Sequence, residues 1–210
     1  MEKYLNRLDA GKKLAQKLSV YKDKKKVIVL ALPRGGVPVG YEIAKTLHVP
    51  LDIFIVRKLG VPGHEELAMG AIAPQNVVIF NEEIVREFQL SHPIIQRVIA
   101  EEKAELLRRE KAYRGARSFP ELKGKTIILV DDGIATGASA RAAISALYQY
   151  QPARLILAIP VAEANTCEKL TPLVDQFICP MRPTAFYAVG AWYEDFPQTT
   201  DEEVRDLLKK

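Results

Sequence analysis

Cysteine is nearly absent: Cys167 and Cys179 are the only two in 210 residues. Lying on what read as separate elements, they support neither a disulfide framework nor a zinc site. Histidine is almost as scarce, and His48, His64 and His92 fall in different segments, which argues against a histidine metal cluster. No apolar run approaches the roughly 20 residues that span a membrane. Residues 1–7, M-E-K-Y-L-N-R, lack the apolar stretch of a secretory signal, so a cytoplasmic location is expected. Neither G-x-G-x-x-G nor G-x-x-x-x-G-K-[ST] occurs, which excludes the two commonest glycine-rich nucleotide motifs. Internal repeats and low-complexity segments are absent as well.

A strong excess of one charge is also lacking. The net charge of +4 and the isoelectric point near 9.0 are mildly basic. The densest basic run, Lys22-Asp-Lys-Lys-Lys26, has no interleaved aromatics and reads as a solvated linker, not a nucleic-acid patch. A polyanionic small ligand is the other outlet for a modest positive balance. It needs only a few well-placed cations.

What is present centres on Thr126 to Ser139, T-I-I-L-V-D-D-G-I-A-T-G-A-S. Five residues suited to a buried parallel strand run into two adjacent carboxylates, Asp131 and Asp132, and then into a loop of small and hydroxyl residues that opens a helix. The polar C-terminal end of such a strand is where open α/β sheets bind ligands. Gly133 and Gly137 permit close backbone approach. Ala135, Thr136, Ala138 and Ser139 can present amides and hydroxyls to an anion at the helix N-terminus. Phosphate donors therefore sit a few residues from acceptors for a diol, and a phosphorylated ribose carries both groups.

Along the rest of the chain, Leu5, Leu8, Leu14, Ala15 and Leu18 make an amphipathic helix over residues 4–18. Residues 27–32 read as a buried strand ending at Pro33-Arg34-Gly35-Gly36. A helix over about 37–47 and a strand over about 51–56 complete a parallel βαβ unit. The second strand delivers Arg57 and Lys58. Leu59 to Glu66 is then expected as a mobile loop, and His64, Glu65 and Glu66 are its acid–base candidates. Residues 67–73 and 77–80 predict a hairpin, and 81–113 a helical pair broken near Ser91-His92-Pro93. Further strands are expected at 154–160 and 175–179, with helices at 137–150 and 163–170. Five aromatics gather in Phe186 to Phe196, and a terminal helix from Asp201 to Leu208 has Asp201 as its expected N-cap. The fold class is a doubly wound α/β protein with a mainly parallel sheet. The whole of 1–210 is expected as one domain, with a helical insertion at 81–115 and a C-terminal segment at 181–210.

These residues together resemble the type I phosphoribosyltransferases. Ile128 to Ser139 is similar to the family's binding loop for phosphoribosyl pyrophosphate (PRPP), Arg34-Gly35-Gly36 to its pyrophosphate loop, and Arg57 to Gly70 to the flexible loop that closes over the site. The 181–210 segment falls where the family places a hood over the base, so Tyr187, Trp192 and Tyr193 are the base-facing candidates. A small aromatic core under the tail is the competing reading of Trp192, Tyr193 and Phe196. The resemblance implies transfer of the phosphoribosyl group to a nitrogenous base with release of pyrophosphate. It implies Mg2+, with Asp131 and Asp132 reaching the ribose hydroxyls and the metal through water. It implies Arg34, Arg57 and Lys58 around the leaving group, a cis peptide as a candidate at Arg34-Gly35, small-molecule substrates without nucleic acid or membrane, and a homodimer. Hypoxanthine and guanine enzymes carry a carboxylate where this chain has Ala135, so a different acceptor is expected. A PRPP-binding regulator without turnover is the alternative.

Overall fold

The computed structural model describes residues 3–209, and for Glu65 and Glu66 the backbone alone. Asn6 caps α1 (Arg7–Lys17) by accepting from the Asp9 amide. There follow β1 (Val27–Ala31), α2 (Gly36–Leu47) and β2 (Leu51–Ile53), then β3 (Arg57–Val61), β4 (His64–Ala73) and β5 (Val77–Phe80). Helices α3 (Glu82–Glu87) and α4 (His92–Arg114) lead to β6 (Thr126–Val130) and α5 (Ala138–Gln149). The chain closes with β7 (Arg154–Ala158), α6 (Ala164–Leu170), β8 (Gln176–Ile178) and α7 (Asp201–Lys209).

Five strands form one parallel sheet in the order β2-β1-β6-β7-β8. Because side chains alternate across a strand, its two faces separate cleanly. Ile28, Leu30, Ile127, Leu129, Leu155 and Leu157 pack against Ala143, Ile144 and Leu147 of α5. Val29, Ile128, Val130 and Ile156 pack on the other face against α1 and α2, through Leu14, Leu18, Val39 and Ile43. With both faces covered, β1 is buried throughout and β6 and β7 are buried beyond their first residues, Thr126 and Arg154, so the polar residues 131–139 come only in the turn that leaves the C-terminal end of β6.

Residues 59–66 depart from the expected mobile loop. β3, β4 and β5 make a separate antiparallel sheet, with the β3–β4 turn at Gly63 (φ 80°). Leu59, Val61 and Met69 are fully buried against Val98 and Leu106 of α4 and Val204 of α7. Alternate apolar residues give this hairpin a core face that its glycines and proline conceal in the sequence; each large side chain so buried contributes roughly 1.5–3 kcal/mol. The end of α4 is fastened to β2 by Arg114, which donates to Asp52 (3.1 and 3.3 Å), Glu110 (2.6 Å) and the Ile53 carbonyl (3.1 Å).

Thr200, not Asp201, caps α7: its Oγ1 accepts from the Glu203 amide at 3.1 Å. Asp201 instead lies in the first turn, where its carboxylate accepts from the Tyr113 hydroxyl at 2.7 Å. That contact and burial push the Tyr113 phenol up to about 12, burial being the larger cause. Cys167 and Cys179 are buried free thiols. Among the described residues, no helix is long and apolar enough to cross a membrane.

Candidate active site

The site begins with strand neighbours. β1 and β6 pair in parallel with Ala31 opposite Val130, and the Leu32 amide continues the ladder to the Val130 carbonyl at 2.9 Å. The turns that follow both strands therefore emerge side by side. A Cβ added to Gly35 would lie 1.9 Å from Asp132 Oδ2, and one on Gly36 would lie 2.8 Å from the Val130 carbonyl oxygen. Two glycines stand there because the carboxylate and the neighbouring backbone occupy that space. Gly35→Ala should therefore cost about 2 kcal/mol of stability through overpacking and displace Asp132; an unfolding midpoint equal to wild type would contradict the contact. The cis peptide is Pro33-Arg34, one bond before the expected Arg34-Gly35.

The two carboxylates differ in their surroundings. Asp132 Oδ2 accepts from Arg7 Nε at 2.7 Å, and Arg7 also donates to the Pro197 carbonyl at 2.6 Å and lies 3.7 Å over the Phe196 ring. Burial raises the Asp132 carboxyl above its ordinary range, with Arg7 opposing. Among the described residues Asp131 forms no ion pair, and Arg7 acts on it only through space. Burial first, and the neighbouring Asp132 second, hold its carboxyl well above the ordinary range, although its Oδ1 accepts from the Asp132 amide at 2.9 Å. The native chain thus binds the Asp131 proton more tightly than the unfolded chain does. Stability is fully present below the ordinary aspartate value and falls as pH rises through the elevated native one. Asp131→Asn should abolish that fall and stabilise the chain at neutral pH by about 1 kcal/mol, while weakening ligand binding. Denaturant unfolding of both proteins across pH decides it, and parallel curves would contradict the assignment.

The loop after Asp132 is held from the side by the segment that follows β7. The Ile134 amide donates to the Val161 carbonyl at 3.0 Å, and Thr166 Oγ1 donates to the Ala135 carbonyl at 2.8 Å. Gly133 faces Val189, whose Cγ1 would stand 2.3 Å from an added Cβ. Gly137 takes a left-handed conformation (φ 73°) at the start of α5. The first helical bond runs from the Arg141 amide to the Gly137 carbonyl, so the amides of Ala138, Ser139 and Ala140 have no partner within the helix. Ala135, Thr136 and Ser139 are exposed beside them.

The basic residues are less concentrated. Arg34 Nη1 lies 3.7 Å from Asp201 Oδ1, and Arg57 Nε donates to Glu102 Oε2 at 2.6 Å. Lys58 is exposed on the rim of a cleft of about 740 Å³ between β4, β5 and α5, with Arg141 and Phe80 also in its wall. The His64 ring lies 5.3 Å from Phe88; the side chains of Glu65 and Glu66 lie outside the described residues.

For Trp192 and Tyr193, burial favours the aromatic-core reading of the tail over the base-facing one. Trp192 and Tyr193 are 9% and 3% exposed in an aromatic core with Tyr4, Phe186 and Phe196. The Tyr193 hydroxyl is spent on the Asp132 carbonyl (2.5 Å), and burial pushes its phenol up. Tyr187 is 95% exposed. The structure thus gathers Arg34, Gly35, Gly36 and residues 131–139 at one end of the sheet, with Arg57 and Lys58 on the adjoining hairpin. Sequence reasoning missed Arg7, Glu102 and Asp201. Two adjacent carboxylates did call for a counter-charge, but nothing marks a residue in α1 as its source.

Residues 1–173 match the family model described as a phosphoribosyl transferase domain. Proteins of Mycobacterium tuberculosis strains CDC 1551 / Oshkosh and H37Rv, whose names give phosphoribosyl transferase as a provisional assignment, are 41% identical over all 210 residues of this chain. The chain spans about half (47%) of the length of these curated relatives. The crystal structure of TT1426 from Thermus thermophilus is 37% identical and superposes with a TM-score of 0.88, over 99% of this chain and 98% of that one. A hypoxanthine phosphoribosyltransferase from Staphylococcus aureus is 12% identical and shares the fold at a TM-score of 0.50, over 88% of this chain and 79% of its own.

Proposed function

The chain belongs to the phosphoribosyl transferase family, and from that premise we propose that it binds PRPP with Mg2+ and transfers the phosphoribosyl group to a nitrogenous base, releasing pyrophosphate. The observation that carries this reading is the contact of the Arg34-Gly35-Gly36 turn with the Asp131-Asp132 pair, at the mouth of a loop that ends on the start of α5. One compact site then offers acceptors for a diol between two places for phosphate.

In this reading the 5′-phosphate takes the amides of Ala138 and Ser139 and the hydroxyls of Thr136 and Ser139, aided by the dipole of the 12-residue α5. The ribose 2′- and 3′-hydroxyls donate to Asp131 and Asp132. Tyr193 and Arg7 position Asp132 from behind. Arg34, Gly35 and Gly36 receive the pyrophosphate, and Arg57 and Lys58 neutralise it as it leaves.

Mg2+ commonly keeps several waters and binds through one or two carboxylates plus substrate phosphates. That suits a site whose acidic groups are the adjacent carboxylates of Asp131 and Asp132 beside the Gly35-Gly36 turn. Asp131 and Asp132 would hold it, and when bound it supplies further positive charge to the departing pyrophosphate. The acceptor is not hypoxanthine or guanine, because Ala135 offers no group to exchange a proton with an oxopurine ring. A homodimer, cytoplasmic in location, is part of the same proposal.

The test is pyrophosphate release from PRPP and Mg2+ against a panel of free bases. Release with one base class supports the enzyme. Tight PRPP binding without release for any base would make the protein a PRPP-binding regulator instead.

A further inference from the structure

Two of the three cations assigned to the leaving group are already engaged, each by a carboxylate from outside the PRPP loops. Arg57 donates to Glu102 of α4 at 2.6 Å, with both side chains only about a quarter exposed (28% and 25%). Arg34 lies 3.7 Å from Asp201 at the start of α7, a residue beyond the 1–173 span of the family model. Asp201 is itself held by the hydroxyl of Tyr113, in the last turn of α4, whereas Glu102 lies at the middle of that helix. One long helix therefore supplies the carboxylate on Arg57 and orients the carboxylate on Arg34. Helix α4 also packs on the β3–β4 hairpin through Val98 and Leu106, which fixes Glu102 against the strand that bears Arg57.

We propose that Glu102 and Asp201 act as exchangeable counter-ions that occupy Arg57 and Arg34 until pyrophosphate displaces them, so that they set affinity for the leaving group and favour its departure after transfer. This inference rests on the proposed function, since it concerns the same site. The physical basis is competition for one fork of donors. A guanidinium binds carboxylate and phosphate oxygens through the same N–H groups, so each pairing must be broken before the other forms. A fixed carboxylate also lowers the local positive potential that a polyanion meets. The arrangement keeps the cations ordered and aimed, and it costs ligand affinity in return. Both residues are positioning residues, because they act through the arginines.

The measurement is equilibrium binding of inorganic pyrophosphate, with Mg2+, to the full chain. Glu102→Gln keeps the size of the side chain and removes the charge, and it should bind pyrophosphate about three- to tenfold more tightly than wild type. Glu102→Asp, which keeps the charge, should stay nearer to wild type. The gain must vanish in an Arg57→Gln background, a coupling that a merely structural role for Glu102 would not produce. Asp201→Asn asks the same question through Arg34 should Glu102→Gln fail to fold, with the same sign expected. Unchanged or weaker binding in the neutral variants, or a gain that survives loss of the arginine, overturns the counter-ion role while leaving the PRPP site standing. Wild-type protein that binds neither pyrophosphate nor PRPP overturns the proposed function, and the counter-ion role with it.

Discussion

Asp132→Asn is expected to lose PRPP binding by tenfold or more and, at the same time, to destabilise the fold by about 3 kcal/mol. The two losses have separate causes. Affinity falls because a carboxylate proposed to accept from a ribose hydroxyl while its Oδ2 accepts from Arg7 becomes an amide with a single accepting oxygen. Stability falls because Arg7, which is 9% exposed and lies over Phe196, is left in an apolar setting without its carboxylate. Stranding one partner of a buried ion pair costs far more than replacing both with apolar groups. Arg7→Met combined with Asp132→Asn should therefore recover most of the stability and none of the binding. Denaturant unfolding and PRPP titration on the same samples separate the two effects; stability that stays low in the double variant would mean that Arg7 is not the cause. The adjacent Asp131→Asn carries the opposite sign in stability, since its carboxylate is buried beside another and, among the described residues, has no ion pair, Arg7 acting on it only through space. Two neighbouring aspartates that differ in this way are a sharp check on the electrostatics of the site.

Arg57→Gln is expected to lower turnover by about 100-fold while weakening PRPP binding much less. Within PRPP the pyrophosphate is still esterified to the ribose. Its full charge appears only as the bond to the anomeric carbon breaks, so a cation aimed at it contributes most in the transition state. The same reasoning predicts a larger loss of affinity for free pyrophosphate, which resembles the departing group, than for PRPP. Steady-state turnover, PRPP binding and pyrophosphate binding measured together test this. Equal losses in all three would show uniform binding in place of leaving-group stabilisation. Because Arg57 is held by Glu102 at 2.6 Å, its ordering before the ligand arrives does not depend on the ligand.

Much of the architecture was legible because the signals are local. The parallel strands announce themselves as uninterrupted apolar runs, and a carboxylate pair followed by small residues and a helix start is contiguous from Asp131 to Ser139. The β3–β4 hairpin was not legible. Its core face consists of Leu59, Val61 and Met69, with Gly60, Pro62 and Gly63 between them, so punctuation hid the alternation. The tail was ambiguous for a related reason. Phe186, Trp192, Tyr193 and Phe196 can stack on a ligand or on one another, and only their packing with Tyr4 and Arg7 decides which.

Fold class, the order of the loops and the kind of ligand they suit follow from the residue order, because strand periodicity, turn chemistry and the 126–139 stretch are properties of adjacent residues. Which charges meet is a matter of packing. Arg7 and Asp132 stand 125 positions apart, and Arg57 and Glu102 stand 45 apart. No spacing rule links such pairs; they meet because α1 packs beneath the tail and α4 packs along the hairpin. Among so many arginines and carboxylates of similar intrinsic character, only the packing of whole elements selects the partners.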